Sequence, residues 1–181
     1  MTIMKLIILD RDGVINQDSL HYIKSPDELI MLPGSAEAIA KLTKAGFTVA
    51  IATNQSGITR GFYSEAQLAE INQKLVDSVM AFGGVIDFII HCPHMPDAGC
   101  SCRKPNPGML NAIAKRYNCT LQSVPFVGDR VSDIEAAVAA KALPMVVLSP
   151  MTDRVGLEAY HNVPIFTSLK LLVDELLKHD C

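Results

Sequence analysis

The chain has 181 residues, of which 49% are hydrophobic and 19% charged, and carries a formal net charge of −3. So much apolar material excludes a disordered chain, and the length suits a single domain over 1–181 rather than two. The mild acidity gives no basic footprint for nucleic acid, no apolar run reaches membrane-spanning length, and a folded motif begins almost at once where a signal peptide would lie; a cytoplasmic protein with no nucleic-acid or membrane partner is expected.

The first element is Leu6–Leu9, an unbroken apolar run that ends abruptly in D-R-D-G at 10–13. Such a run fits a strand covered on both faces of a parallel sheet, so Asp10 and Asp12 sit at its C-terminal end, where open α/β sheets bind ligands. A bland reading makes D-R-D-G a polar turn with Gly13 supplying a permissive backbone. The chemical reading makes Asp10 a nucleophile and Asp12 a general acid and base, with Mg2+ holding a phosphate against them.

Residues 14–32 lack clear periodicity and read as a loop or small flap over the mouth of the site. Within it His21 and Tyr22 either touch substrate or lie at the surface. Pro33-Gly34 introduces a helix to about Ala45 with Ala36, Ile39 and Leu42 on its apolar side, and Phe47–Ala52 forms the second strand. Its end carries the polar cluster Thr53-Asn54-Gln55-Ser56-Gly57. Ser64 and Gln67 have capping-box spacing for a helix to about Met80 with Leu68, Ile71 and Leu75 inward.

Val85–Ile90 is the third strand, Asn106-Pro107 the cap and first turn of a helix to Tyr117, and Ser123–Val127 the fourth strand, ending at Gly128-Asp129. Ser132 and Glu135 have capping-box spacing for a helix through Ala140. Pro144–Leu148 is the fifth strand, and an amphipathic helix covers 168–179. Strand and helix alternate, so the expected fold is an α/β, Rossmann-like central parallel sheet of about five strands in the order 3-2-1-4-5, with helices on both faces.

That order opens Asp10, Thr53 and Asp129 onto one crevice. Asp129 is expected to complete a Mg2+ site with the Asp10 carboxylate and the Asp12 backbone carbonyl, and Asp133, one helical turn on, is a supporting group. Lys104 neutralises the phosphate with the Thr53 hydroxyl, although Arg103 and Lys104 taken alone are ordinary surface charges.

Five cysteines are an odd number, and three of them crowd into C-P-H-M-P-D-A-G-C-S-C. Cys92, His94, Cys100 and Cys102 supply the ligands of a closed tetrahedral Zn2+ site, which would hold a long loop lacking apolar support; a redox cluster or chance enrichment are the alternatives. Cys119 reads as a core thiol and Cys181 as a terminal one, with His161 and His179 at the surface.

D-R-D-G-V-I-N at 10–16, A-T-N-Q-S-G-I at 52–58, the zinc loop through C-S-C-R-K-P at 100–105, and V-G-D-R-V-S-D-I at 127–134 resemble the haloacid-dehalogenase superfamily of phosphatases. Within it the chain resembles the heptose 1,7-bisphosphate phosphatases. The resemblance implies a fold without a large cap domain and removal of the C7 phosphate from a small phosphorylated sugar, for nucleotide-activated heptose and lipopolysaccharide or another surface glycan. It further implies a phosphoaspartate on Asp10, acid and base work by Asp12, phosphate held by Thr53 and Lys104, and substrate held by Asn54 and Arg103. Catalytic Mg2+ would sit on Asp10, Asp12 and Asp129, and structural Zn2+ on the Cys/His set.

Two departures are visible: the segment between His94 and Cys100 is shorter than in some members, and Arg130 stands where many carry Lys, which keeps the charge but changes its geometry. A histidinol-phosphate phosphatase shares the zinc-loop design and is the nearest alternative function. A noncatalytic phosphate-binding interaction protein is the alternative from another class. A monomer is expected.

Overall fold

A computed structural model describes residues 4–178. In chain order the elements are β1 (Lys5–Leu9), α1 (Ser35–Lys44), β2 (Phe47–Asn54), α2 (Glu65–Met80), β3 (Phe88–Cys92) and α3 (Gly108–Tyr117). There follow β4 (Pro125–Gly128), α4 (Val131–Ala139), β5 (Leu143–Val147), α5 (Arg154–Leu157), β6 (Ile165–Phe166) and α6 (Leu169–Lys178). All strand pairs are parallel, in the order β3-β2-β1-β4-β5-β6.

β1 lies in the middle of the sheet, and its alternation divides the core. Ile7 and Leu9 pack with Ile39, Leu42, Ile71, Leu75 and Leu172, from α1, α2 and α6. Leu6 and Ile8 pack on the other face with Met109, Leu110 and Ile113 of α3 and Ala136 of α4. Both faces are therefore covered, which is why the β1 sequence shows no polar alternation.

Several expectations are corrected in detail. The sheet has a sixth strand: β6 is an edge strand of two residues, Ile165 and Phe166, too short to register as a periodic run. The third strand starts at Phe88 rather than Val85 and extends to Cys92, because Asp87 ties the approach to β2 through Val49 N–H to Asp87 Oδ2 (2.8 Å) and Asp87 N–H to Val49 O (2.8 Å). β2 likewise runs two residues further than Ala52, so Thr53 and Asn54 are strand residues.

The predicted capping box at Ser64 is present, with Gln67 N–H donating to Ser64 Oγ and Ser64 N–H to Gln67 Oε1. The two other predicted caps are displaced. α3 starts after Pro107, and Asn106 turns its amide to Cys100 O (2.7 Å). α4 starts after Arg130, with Ser132 inside it and Asp133, not Glu135, reaching back to the first N–H groups. His179 and Cys181 lie outside the described residues. No helix among those described is long and apolar enough to cross a membrane.

Candidate active site

The C-terminal ends of β1, β2 and β4 converge on a cavity of about 520 Å3, lined by Asp10, Asp12, Thr53, Arg103, Lys104 and Asp133 among others. Backbone pairing fixes these positions: Asp10 N–H donates to Val127 O (2.8 Å), and Thr53 sits in register opposite His91 of β3. Asp10, Thr53, Lys104, Asp129 and Asp133 are all buried.

Asp10 Oδ1 accepts from Arg11 N–H (2.8 Å) and lies 3.0 Å from Lys104 Nζ. The same ammonium is 2.7 Å from Asp133 Oδ1 and donates to Ala52 O (3.0 Å). Burial works against the Lys104 charge, but Asp10 and Asp133 outweigh it and hold the lysine firmly protonated. Asp10 is pushed well above the usual carboxylate range by burial first, with Asp133, Asp129 and Asp12 adding to it against the pull of Lys104. Three carboxylates around one lysine leave the pocket short of positive charge.

Asp129 carries an open acceptor beside them. Ser149 Oγ–H donates to its Oδ2 (2.6 Å), while Oδ1 is buried without a hydrogen-bond donor. One ligand atom from each of Asp10, Asp129 and Asp133 lies within 4.8 Å of the others, a donor set of hard oxygens suited to Mg2+. Gly13 makes the approach of Asp129 feasible. Its φ is +82°, and a Cβ built there would stand 2.3 Å from Asp129 Oδ2.

Asp133 serves chiefly through its other oxygen, which accepts from Asp129 N–H (3.1 Å) and Arg130 N–H (3.0 Å), fixing the loop that presents Asp129. The Arg130 guanidinium reaches across the mouth to Asp18 Oδ2 (2.6 Å). Asn54 faces the cavity, yet its amide is engaged with the Lys104 backbone, accepting from N–H (3.1 Å) and donating to C=O (3.2 Å). It thus anchors the lysine. In the flap, Tyr22 and Leu20 line the cavity, and His21 is not among its lining residues.

The sequence reading left out Arg11, Asn16, Gln55 and Ser149. Arg11 is fully buried, an outlier for an arginine. Its Nε donates to Asp12 Oδ1 (3.1 Å), its Nη2 to Asp12 Oδ2 (3.2 Å), and its Nη1 to Asn72 Oδ1 on α2 (3.1 Å). Asn16 and Gln55 complete the ring, donating to Asp12 Oδ1 (2.8 Å) and Oδ2 (2.9 Å). Arg11, Asn16 and Gln55 lie inside the motifs at 10–16 and 52–58, which is the one signal the sequence carries for them, and Ser149 lies in none.

Beside the cavity, the Cys92, His94, Cys100 and Cys102 ligand atoms all lie within 4.8 Å of one another. The Cys92–Cys100 and Cys100–Cys102 sulfur separations, 3.7 and 3.6 Å, match the edge of about 3.8 Å expected for thiolates tetrahedrally placed on Zn2+. Cys92 and Cys102, at 2.9 Å, would have to part by about 0.9 Å to reach that edge. Burial pushes the Cys92 thiol up to about 12, whereas Cys100, despite its own burial, is drawn down to about 6 by the Arg103 N–H and neighbouring groups. Arg103 Nη1 donates to His94 O (3.0 Å), so the loop and the cationic pair are physically joined.

A family model for haloacid dehalogenase-like hydrolases matches residues 6–141. The chain belongs to the haloacid dehalogenase-like hydrolases. It is 48% identical over 174 residues to a D-glycero-beta-D-manno-heptose-1,7-bisphosphate 7-phosphatase of Pseudomonas aeruginosa, covering 96% of this chain and 98% of that one. A Bordetella bronchiseptica protein of the same name is 56% identical over 144 residues, or 80% of each chain. The crystal structure of D,D-heptose 1,7-bisphosphate phosphatase from B. bronchiseptica, complexed with magnesium and phosphate, superposes with a TM-score of 0.91 at 47% identity, covering 97% of this chain and 99% of that one. These relatives place this hydrolase among the phosphoric monoester hydrolases.

Proposed function

We propose that this hydrolase removes the C7 phosphate of D-glycero-β-D-manno-heptose 1,7-bisphosphate, leaving heptose 1-phosphate, through a phosphoaspartate on Asp10. The observation that carries the reading is the Asp10–Lys104–Asp133 ion cluster, which lines an open cavity, with the unpartnered oxygen of the fully buried Asp129 beside it. Likeness to the named phosphatases over nearly the whole chain supports the substrate.

Asp10 is oriented by Arg11 N–H and Lys104 for attack on phosphorus, and Lys104 and the Thr53 hydroxyl hold the phosphoryl oxygens. Asp12 gives a proton to the departing sugar oxygen and then takes one from the water that cleaves the acyl phosphate. Asp10, Asp129 and the Asp12 carbonyl would hold Mg2+, with Asp133 bracing the Asp129 loop. When bound, the ion supplies the positive charge that lets a phosphate approach three carboxylates.

Arg103 and Arg130 both line the cavity, where Arg103 would border the substrate and Arg130, at the mouth, would meet the rest of the sugar phosphate. Cys92, His94, Cys100 and Cys102 would hold Zn2+ as a structural ion. The enzyme is proposed to act as a cytoplasmic monomer and as one domain.

The test is a comparison of kcat/KM for the α and β anomers of heptose 1,7-bisphosphate, histidinol phosphate and simple sugar phosphates, with Mg2+ present and zinc retained. Preference for the β-heptose bisphosphate is expected. Preference for histidinol phosphate overturns the substrate assignment, and specific phosphate-ligand affinity without turnover of any ester favours a binding protein.

A further inference from the structure

Gln55 belongs to the polar cluster at the end of β2 and is buried beside Asp12, with no role in the steps proposed above. Its Nε2 donates to Asp12 Oδ2 and to Thr53 Oγ1, both at 2.9 Å. Its Oε1 accepts from the Tyr63 hydroxyl at 2.5 Å. We infer that Gln55, oriented by Tyr63, is a positioning residue that aims the Asp12 acid/base; this rests on the phosphatase reading above.

The direction of this chain follows from donor inventory. A carboxylate accepts only, so the amide must turn an N–H toward Asp12, and its carbonyl then faces Tyr63, which must donate. Burial, chiefly, pushes the Tyr63 hydroxyl up to about 12, so it stays a donor throughout the working pH range. Without the Tyr63 hydroxyl, nothing distinguishes the two amide orientations at the Tyr63 end, and the flipped one sets a carbonyl oxygen against the Asp12 carboxylate.

Tyr63 is itself held in place by a missing side chain. A Cβ on Gly57 would stand 2.2 Å from the Tyr63 ring, so the ring lies flush against the Gly57 backbone. Gly57, Tyr63 and Gln55 therefore form one device, reachable from three positions.

A positioning role for Asp12 has a kinetic signature that general structural damage lacks. An alkyl leaving group needs Asp12 to protonate it, whereas p-nitrophenolate departs without a proton. Tyr63→Phe, Gln55→Leu and Gly57→Ala should each lower kcat/KM for an alkyl sugar phosphate at least about tenfold while lowering it for p-nitrophenyl phosphate less than about threefold. Thermal midpoints identify any variant that has failed to fold, and the other two then carry the test.

Equal losses on both esters, or no loss on either, in the folded variants overturn the positioning role while the wild type still hydrolyses both. A wild type that hydrolyses neither ester overturns the phosphatase reading and this inference with it.

Discussion

At the residue scale the site depends on which oxygen of each carboxylate is occupied. Asp129 is the clearest case: Ser149 holds one oxygen, and the other is buried without a donor. Gly13→Ala would drive a methyl group into the held oxygen at a backbone φ of +82°, costing about 1–3 kcal/mol of stability and raising the Mg2+ needed for half-maximal activity about tenfold or more; a metal titration of the purified variant checks this. Asp12→Asn should slow turnover about 100-fold to 10,000-fold yet retain more phosphate affinity than Lys104→Ala, because only the lysine meets the anion directly; inhibition by inorganic phosphate reads the difference. Asp10, Asp12, Lys104 and Asp129 were legible in the sequence because each ends a strand or borders a motif. Arg11 and Gln55 were not, since their partners Asn72 and Tyr63 stand on α2 and in the loop before it, and no local spacing reveals a contact between them.

At the element scale, the ends of β2 and β3 and the Cys/His loop act together. Cys92 is the last residue of β3 and pairs in register with Asn54, the last of β2, while Asn54 holds the Lys104 backbone and Arg103 holds His94 O. Stripping the proposed Zn2+ with a zinc-selective chelator should therefore loosen the whole segment from 93 to 107 and depress kcat by an order of magnitude or more, with rapid amide exchange over the same residues. By contrast Ser64→Ala removes a cap on the outer helix α2, and should cost about 1 kcal/mol in urea unfolding without changing kcat/KM. The apolar runs announced five strands and every helix but the one-turn α5, and not β6 or the true caps of α3 and α4. Those were decided by tertiary contacts: Asn106 turns to Cys100 O, and Asp133 serves both a helix terminus and Lys104.

Across the whole molecule, a parallel sheet with β1 at its centre collects acidic residues at one end, and burial raises the cost of ionising them together. In the metal-free protein, burial first and then Asp133 push Asp129 up to about 7 against the opposing Ser149 and Arg130. A carboxyl whose folded pKa exceeds its unfolded value near 4 destabilises the fold as pH rises between the two, so metal-free stability should decline from about pH 4 to about pH 7 on this account. Mg2+ at the proposed site would compete with that proton, and its stabilising shift in Tm should be larger at pH 8 than at pH 6.

The central claim is tested most directly by rapid-quench capture of the protein during turnover of substrate carrying 32P in its C7 phosphate. A hydroxylamine-labile label mapped to Asp10, formed at the rate of the first turnover and absent from Asp10→Asn, is the predicted result. Full turnover with no label on Asp10, or undiminished hydrolysis by Asp10→Asn, would contradict the account.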